Sequence, residues 1–402
     1  MVQRGRRSDG VKPCRRTSAV ALVLALIAAC TVAGCARTAA PPAPPVLDEA
    51  ALTYAARHLN EDPVLKDQEL NAEPCDGFRP RTPQDLVDKL GQEDFHGCII
   101  IPRNSSFNMA DANPNKNIQL HSGVWLVGER GGLGSRPTLF TNNKSEAYSL
   151  FEIKGNDVRV VGLHFEGPAK GSRDGTQKKV SAISVIANAD PNPERQGGRN
   201  VVIANSEFDE WTDAAVAVGS TRAARVPSEY PDEWPRFSPD DAGLVRVEAN
   251  FIHDNARDNA GYGVNVGAGA YATIVGNVFD FNRHAIASDG YAHSGYVARF
   301  NYVLGGGFKY GGFLGFFSYY NQHFDVHGTG EGGYGGTAGE FYEIAFNAFR
   351  GDQGYDCFAF WCKTRPAFEL RGAPTGRPGC TPPCIGADFH DNVAVHENLD
   401  AA

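Results

Sequence analysis

Val275-Gly276-Asn277-Val278-Phe279 sets an asparagine between apolar residues. The arrangement returns as Ile203-Ala204-Asn205-Ser206-Glu207-Phe208, Val247-Glu248-Ala249-Asn250-Phe251-Ile252, Arg299-Phe300-Asn301-Tyr302-Val303 and Ala345-Phe346-Asn347-Ala348-Phe349, with Asp391-Asn392-Val393 as a sixth. Successive Asn positions differ by 45, 27, 24, 46 and 45, which reads as one or two multiples of a unit of about 23 residues, a period that marks a solenoid. An Asn returning once per turn among apolar strands suits a stacked ladder. Each side-chain amide then bonds the next, and no buried polar group is left unpaired.

The segments upstream have the same texture. Gly97 to Pro102, Ile118 to Gly128, Thr138 to Phe140, Leu150 to Ile153 and Asp157 to Phe165 are short apolar stretches separated by Gly, Asn and Asp, with no room for crossover helices. Before them, Thr82-Pro83 opens a helix whose apolar stripe is Leu86, Val87 and Leu90, and Asp48 to Leu59 reads as another. Helices placed ahead of a β array cover its first edge, which would otherwise invite aggregation. Residues 48–96 are therefore expected to form a cap, and 97–398 a single array.

Composition agrees. The 402 residues include 46 Gly and only 2 Met, with 10% aromatics, a balance that favours turns and strands over long helices. The formal charge is −9, and residues 1–34 contribute six Arg/Lys against Asp9, a net of +5, so the remainder carries −14. An acidic body argues against nucleic acid as a partner.

Residues 1–34 read as a targeting segment. Arg4, Arg6, Arg7, Lys12, Arg15 and Arg16 precede the apolar run Ala19 to Ala29, and Val32-Ala33-Gly34-Cys35 follows. This order of parts resembles a bacterial lipoprotein signal, which implies lipidation at Cys35. Residues 35–47 then form a Pro- and Ala-rich tether. The expectation is an exported monomer held to the membrane or cell envelope through the lipid alone. Six cysteines remain beyond the signal: Cys75, Cys98, Cys357, Cys362, Cys380 and Cys384. In an oxidising compartment an even number reads as three disulfides, with Cys75 to Cys98 the favoured pair. Zinc binding by the last four is the lesser alternative, since Cys-x4-Cys and Cys-x3-Cys are near finger spacing.

The helical cap, Cys98-Ile99-Ile100-Ile101-Pro102, Leu120 to Gly128, the Val-x-Val-x-Gly-Leu-x-Phe run ending at Phe165 and the Asn repeats together resemble the right-handed parallel β-helix proteins of the pectate-lyase-like superfamily. The resemblance covers about residues 80–398. It implies an all-β, single-stranded right-handed parallel β-helix with a short N-terminal helical cap. It also implies lyase, hydrolase or epimerase chemistry on a polysaccharide lying along the outer groove of one sheet. The Asp-Pro-His-Asp sequence of the superfamily's epimerases and the Arg-x-Pro-x-x-Arg sequence of pectate lyases are both absent.

One stretch concentrates titratable groups. In an extended strand, His323, Asp325 and His327 share a face while Phe324 and Val326 share the other. Solvated polar residues on an ordinary strand are the plainer reading. Aligning inward pairs Val216 with Val218, Val264 with Val266, Phe324 with Val326 and Phe358 with Phe360, and placing Ile286 in that register, turns these outward: Asn265; Ala285, Ala287 and Asp289; His323, Asp325 and His327; Ala359, Trp361 and Lys363. Small residues beside His and Asp make a groove with a polar wall. Turns about 4.8 Å apart put Asp289 within reach of His327. Arg283, His284, His293 and Arg299 lie nearby. The insertion between Gly305 and Tyr320 is rich in Gly, Phe and Tyr. Its alternative is a loop packed on itself. His284 fits a buried structural histidine somewhat better than a catalytic one, and Lys170, Arg173, Lys178 and Lys179 fit a solvated loop better than a polyanion site.

Three chemistries are open to these residues. His323 or His327 can abstract the C5 proton of a uronic acid, oriented by Asp325 or Asp289, with Arg283 or Arg299 against the substrate carboxylate; the outcome is β-elimination or epimerisation. Asp289 and Asp325, with Glu340, can instead form the carboxylate pair of a glycoside hydrolase. A metal on His323, Asp325 and His327 is disfavoured, because the outer Cα atoms of such a row lie about 13 Å apart. No metal or other cofactor is assigned. The sugar-contacting candidates are Tyr291, His293, Tyr319, Tyr320, Trp361 and Lys363. A non-catalytic glycan-binding or structural β-helix is the reading from a different class.

Overall fold

A computed structural model describes residues 77–396 apart from 114–116, 130–135, 170–177, 187–197, 220–244 and shorter breaks between 256 and 383. The targeting segment, Cys35, the tether and the helix expected at Asp48 to Leu59 lie outside the described residues. The chain winds as a parallel β-helix. Three parallel sheets run its length: the first from Gly97–Ile101 to Ala387–His390, the second from Ser106–Asn108 to Val393–His396, the third from Ile118–Leu120 to Phe368–Leu370. One coil shows the plan. Tyr271–Val275 lies in the first sheet, Val278–Asp280 in the second and His284–Ser288 in the third, and Gly295–Arg299 opens the next coil directly beside Tyr271–Val275.

The core is built of side-chain columns running along the helix axis. On the third sheet, Ile118, Phe151, Ile183, Val216, Val264, Ile286, Phe324 and Phe368 stand in register. All but Phe368, at the last coil, are buried. The first end of this core is closed by α1 (Pro83–Leu90). Thr82 caps it: the Thr82 hydroxyl accepts from Asp85 N and the Asp85 carboxylate accepts from Thr82 N. Leu86 and Leu90 are buried in the same apolar cluster as Ile99 and Leu120. Among the described residues, no helix is long and apolar enough to cross a membrane.

The Asn repeat is a ladder at the turn from first to second sheet. Asn250 Nδ2 donates to Asn277 Oδ1 (3.0 Å), Asn277 to Asn301 (3.0 Å), Asn301 to Asn347 (2.9 Å) and Asn347 to Asn392 (2.9 Å). Each Oδ1 also accepts the backbone N–H of the Asn one coil earlier, and each Nδ2 also donates to a carbonyl of a preceding coil, as Asn277 does to Val247 O at 2.8 Å. The residue before each Asn turns the chain with a positive φ: Ala249 at 53°, Gly276 at 65°, Phe300 and Phe346 at 56°, Asp391 at 52°. Non-glycine residues adopt this region at a cost of about 1 kcal/mol or more, which the fixed turn must offset.

Two expectations change. Asn205 is the positive-φ residue of its turn, at 49°, and the ladder position belongs to Ser206, whose N–H donates to Asn250 Oδ1 at 2.9 Å. Asn301 also bonds Asn347 directly across 46 residues, so every interval is a single coil and the longer ones carry insertions. A second ladder joins second to third sheet. Asn255 Nδ2 donates to Asn282 Oδ1 (2.9 Å), and Asn255 Oδ1 accepts from Trp211 N (2.9 Å).

The rung expected at Phe358 to Lys363 is not part of the third sheet. Asp356–Phe358 and Trp361–Lys363 pair antiparallel as a hairpin, and the rung beside Phe324–Val326 is Phe368–Leu370. An antiparallel hairpin satisfies its own backbone locally and so can leave the solenoid.

Asn301→Ala should test the ladder. It strips the acceptor of two Asn277 donors and the donors of Ile274 O and Asn347 Oδ1, all buried. The expected loss is about 2–4 kcal/mol, read as a lower denaturant midpoint. Asn205→Gly, which keeps the positive φ, should cost less than about 1 kcal/mol.

Candidate functional site

The outer face of the third sheet carries one column read directly from the register: Gln119, Glu152, Ser184, Ala217, Asn265, Ala287, Asp325 and Glu369. Small residues precede Asp325, which stands where they end. Asp325 is fully buried, although it faces away from the core. Its Oδ1 accepts from Gln322 Nε2 at 2.7 Å, and its Oδ2 accepts from His327 Nε2 at 2.9 Å and Arg371 Nη2 at 2.7 Å. His284 Nε2 also faces Oδ2, at 3.4 Å. Burial pushes the Asp325 carboxyl up, but the His327 hydrogen bond and the His284, His327 and Arg371 charges outweigh it and hold the group below its ordinary 3.8.

His327 is the exposed member, its side chain 35% accessible against 0% for Asp325 and 11% for Arg371. A carboxylate can only accept, so Nε2 carries the proton and Nδ1 keeps its lone pair. Gly333 lies against that nitrogen: a Cβ there would come within 3.1 Å of Nδ1, and its φ of +81° also favours glycine. Tyr334, 55% exposed, stacks over the Arg371 guanidinium at 4.8 Å. Arg371 Nε also faces Glu369 Oε2 at 3.5 Å.

A bulge aims His284 into this group. Ala285 N and Ile286 N both donate to His323 O, so two residues oppose one. Ala285 therefore joins the core cluster instead of facing outward. The His284 ring stacks on Tyr262 at 5.7 Å, and Arg283 lies over the other partner of that stack, donating from Nη1 to the Tyr262 hydroxyl at 3.0 Å. Burial drives the His284 imidazole down, to about 3, against the pull of Asp325.

The structure thus brings together Asp325, His327 and His284, with Arg283 one Tyr ring away. Asp289 ends the neighbouring rung, where its Oδ1 accepts from Tyr291 N at 3.1 Å, and a Cβ on Gly267 would meet its Oδ2. Tyr291 is exposed. Other expected members fall elsewhere. His323 precedes the regular strand and turns its ring toward Phe349, 6.3 Å between centroids; among the described residues no hydrogen bond or ion pair joins it to Asp325. Burial lowers its imidazole to about 4. Arg299 lies in the first sheet, paired with Glu343. Glu340 is buried and accepts the Tyr271 hydroxyl at 2.7 Å. Tyr319–Tyr320 pair antiparallel with Phe308–Lys309, so that part of the insertion folds on itself. His293 and the side chains of Tyr319, Tyr320, Trp361 and Lys363 lie outside the described residues.

Gln322, Arg371 and Tyr334 were not expected from the sequence. Arg371 had a signal: Phe368-Glu369-Leu370-Arg371 alternates with the same phase as Phe324 to His327. Among the described residues no cluster of His, Cys, Asp and Glu could hold a metal ion. In comparison with known proteins, the chain matches no family model and no curated relative.

Asp325→Asn removes the charge that three donors share, and should cost about 3–5 kcal/mol at pH 7. The folded carboxyl titrates below the unfolded value, so its stabilisation is present above about pH 4 and is lost as pH falls through the folded value. Urea midpoints of the two proteins should therefore converge below that pH.

Proposed function

We propose that the chain is a polysaccharide-active enzyme that abstracts a proton on the outer face of the third sheet, giving β-elimination or C5-epimerisation of a uronic-acid-containing glycan. One observation carries this reading. A half-exposed imidazole has its Nε2–H held by a buried, ionised carboxylate, which leaves Nδ1 as a base. In elimination, His327 Nδ1 would take the C5 proton, the electron pair would form the C4–C5 double bond, and the C4–O bond would break with its electrons on oxygen. That oxygen would leave protonated by the imidazolium. Epimerisation would instead need a second acid on the opposite face of the sugar to deliver a proton to C5, with His327 keeping the one it took. Arg371 shares Asp325 with the base, and Arg283 lies over the Tyr262 ring that stacks on His284.

The hydrolase alternative has less support. An acid or nucleophile needs an available carboxylate oxygen, whereas both oxygens of Asp325 accept hydrogen bonds and Glu340 is committed to Tyr271. Export, lipid anchoring at Cys35 and a monomeric state remain part of the proposal and rest on the order of residues at the N-terminus. So does disulfide pairing. The even number of cysteines beyond residue 35 in an exported chain supports that pairing, and Cys357 stands opposite Cys362 in the backbone register of the hairpin.

Incubation with a panel of uronate polymers should yield an unsaturated product absorbing in the ultraviolet, or epimerised residues by NMR. His327→Ala should lower the rate about 10²–10⁴-fold, while His323→Ala leaves it unchanged. A product heavier by one water would establish hydrolysis instead, and no product with retained glycan binding would establish a binding module.

A further inference from the structure

After His327 the chain reads Gly328-Thr329-Gly330-Glu331-Gly332-Gly333-Tyr334-Gly335-Gly336-Thr337, and Tyr334 is the one aromatic residue in this loop. The loop is closed on itself. Gly328 N donates to Gly333 O (2.8 Å), Thr329 N to Thr337 O (2.8 Å), Gly330 N to Gly335 O (3.0 Å) and Tyr334 N to Glu331 O (3.2 Å). Glycine is what allows so tight a path. A Cβ on Gly330 would collide with the Tyr334 carbonyl and one on Gly336 with the Thr329 hydroxyl, while Gly332, Gly333, Gly335 and Gly336 take φ between +65° and +81°.

Arg371 fixes where the Tyr334 ring stands. Its carbonyl accepts from Gly335 N at 2.6 Å, and its guanidinium lies against the ring, 4.8 Å from the centroid. The same guanidinium donates to Asp325 Oδ2 at 2.7 Å, and Asp325 holds His327 at 2.9 Å. The residue that braces the Asp325–His327 pair therefore also anchors the ring. Gly333, the neighbour of Tyr334 in sequence, is the residue whose Cβ would meet His327 Nδ1. With one face on the guanidinium, Tyr334 is still 55% exposed, and among the described residues Arg371 is the only charged or aromatic group against it. An exposed aromatic side chain is ordinary where it hangs free. This one is held from below and from its own backbone, with its second face left to solvent beside the base.

We infer that Tyr334 is a sugar-stacking platform that seats one pyranose ring of the glycan next to His327, and so is a specificity-determining residue of the site. The C–H bonds on one side of a pyranose present hydrogen to an aromatic face, and a ring fixed before binding loses little freedom when the sugar arrives. The inference rests on the glycan reading above, but not on its proton-abstraction step.

Proton NMR of defined galacturonate, guluronate, mannuronate and glucuronate oligosaccharides titrated with the full chain tests the platform directly. Sugar C–H protons lying over the ring should move upfield on binding. Tyr334→Ala should abolish that shift and weaken binding about tenfold, the loss of one ring contact, whereas Tyr334→Phe keeps both near wild type. In turnover, Tyr334→Ala should raise KM and leave kcat unchanged, because the stack is equally strong in the ground and transition states. A bound oligosaccharide with no upfield protons, or unchanged affinity in a folded Tyr334→Ala, would overturn the platform and leave the proposed enzyme standing. Upfield-shifted oligosaccharide that is never converted would uphold the platform and overturn the enzyme. Binding of none of the four would overturn both. If Tyr334→Ala does not fold, the shifts on the wild-type chain decide.

Discussion

The asparagine ladder is the constraint on which the molecule depends. A parallel solenoid has no tight hairpins to fix its register, so the stacking of one coil on the next must be set at the turns. Asn250, Asn277, Asn301, Asn347 and Asn392 do this with amides that bond along the helix axis and back to the main chain. A slip of one residue in any coil would break several buried hydrogen bonds and reverse the faces of its strands. Because the register is held, columns persist over many coils, and Asn265, Ala287, Asp325 and Glu369 come to lie side by side from segments far apart in sequence.

That alignment explains how an outward-facing carboxylate can be buried. Asp325 has a residue of the next coil, Arg371, reaching back over it, and His284 of the previous coil beneath. Its charge is balanced by donors drawn from two coils, which no isolated strand could supply. Removing one partner leaves the others uncompensated in a dry place, so the group behaves as a unit. The buried carboxylate thus holds a half-exposed imidazole by one ring nitrogen, so that His327 is fixed on the protein side.

Much of this was legible in residue order. The Asn repeat implied the solenoid, Thr82-Pro83 the capping helix, and the alternation in Phe324-Asp325-Val326-His327 a polar row on an apolar base. What escaped was set by local departures from regularity. A bulge at Ala285 and Ile286 reverses the expected direction of Ala285 and brings His284 into the site, and strict alternation cannot anticipate a residue that breaks it. His323 lies just outside the regular strand, so period-two reasoning did not apply to it. Asn205 looked like a ladder member because the turn uses two consecutive polar-tolerant positions, and only the hydrogen bonds show that Ser206 occupies the second. Arg371 was hidden by the hairpin at Asp356 to Lys363, which took the place of the coil expected there.

From Asn277 to Asn301 a coil needs 24 residues, enough for three strands and their turns, whereas the coil from Asn301 to Asn347 takes 46. This longer coil supplies Asp325 and His327, with one insertion before the strand and a second, Gly-rich, after it. The second returns to the site: Gly333 packs against His327 Nδ1, and Gly290 of the neighbouring coil admits the His327 carbonyl where any Cβ would collide. A solenoid tolerates insertions at its coil junctions because the ladder carries the register past them. Stability and chemistry can then be separated within one chain. The ladder holds the stack together, and the long coil from Asn301 to Asn347 is free to shape loops around the Asp325–His327 pair.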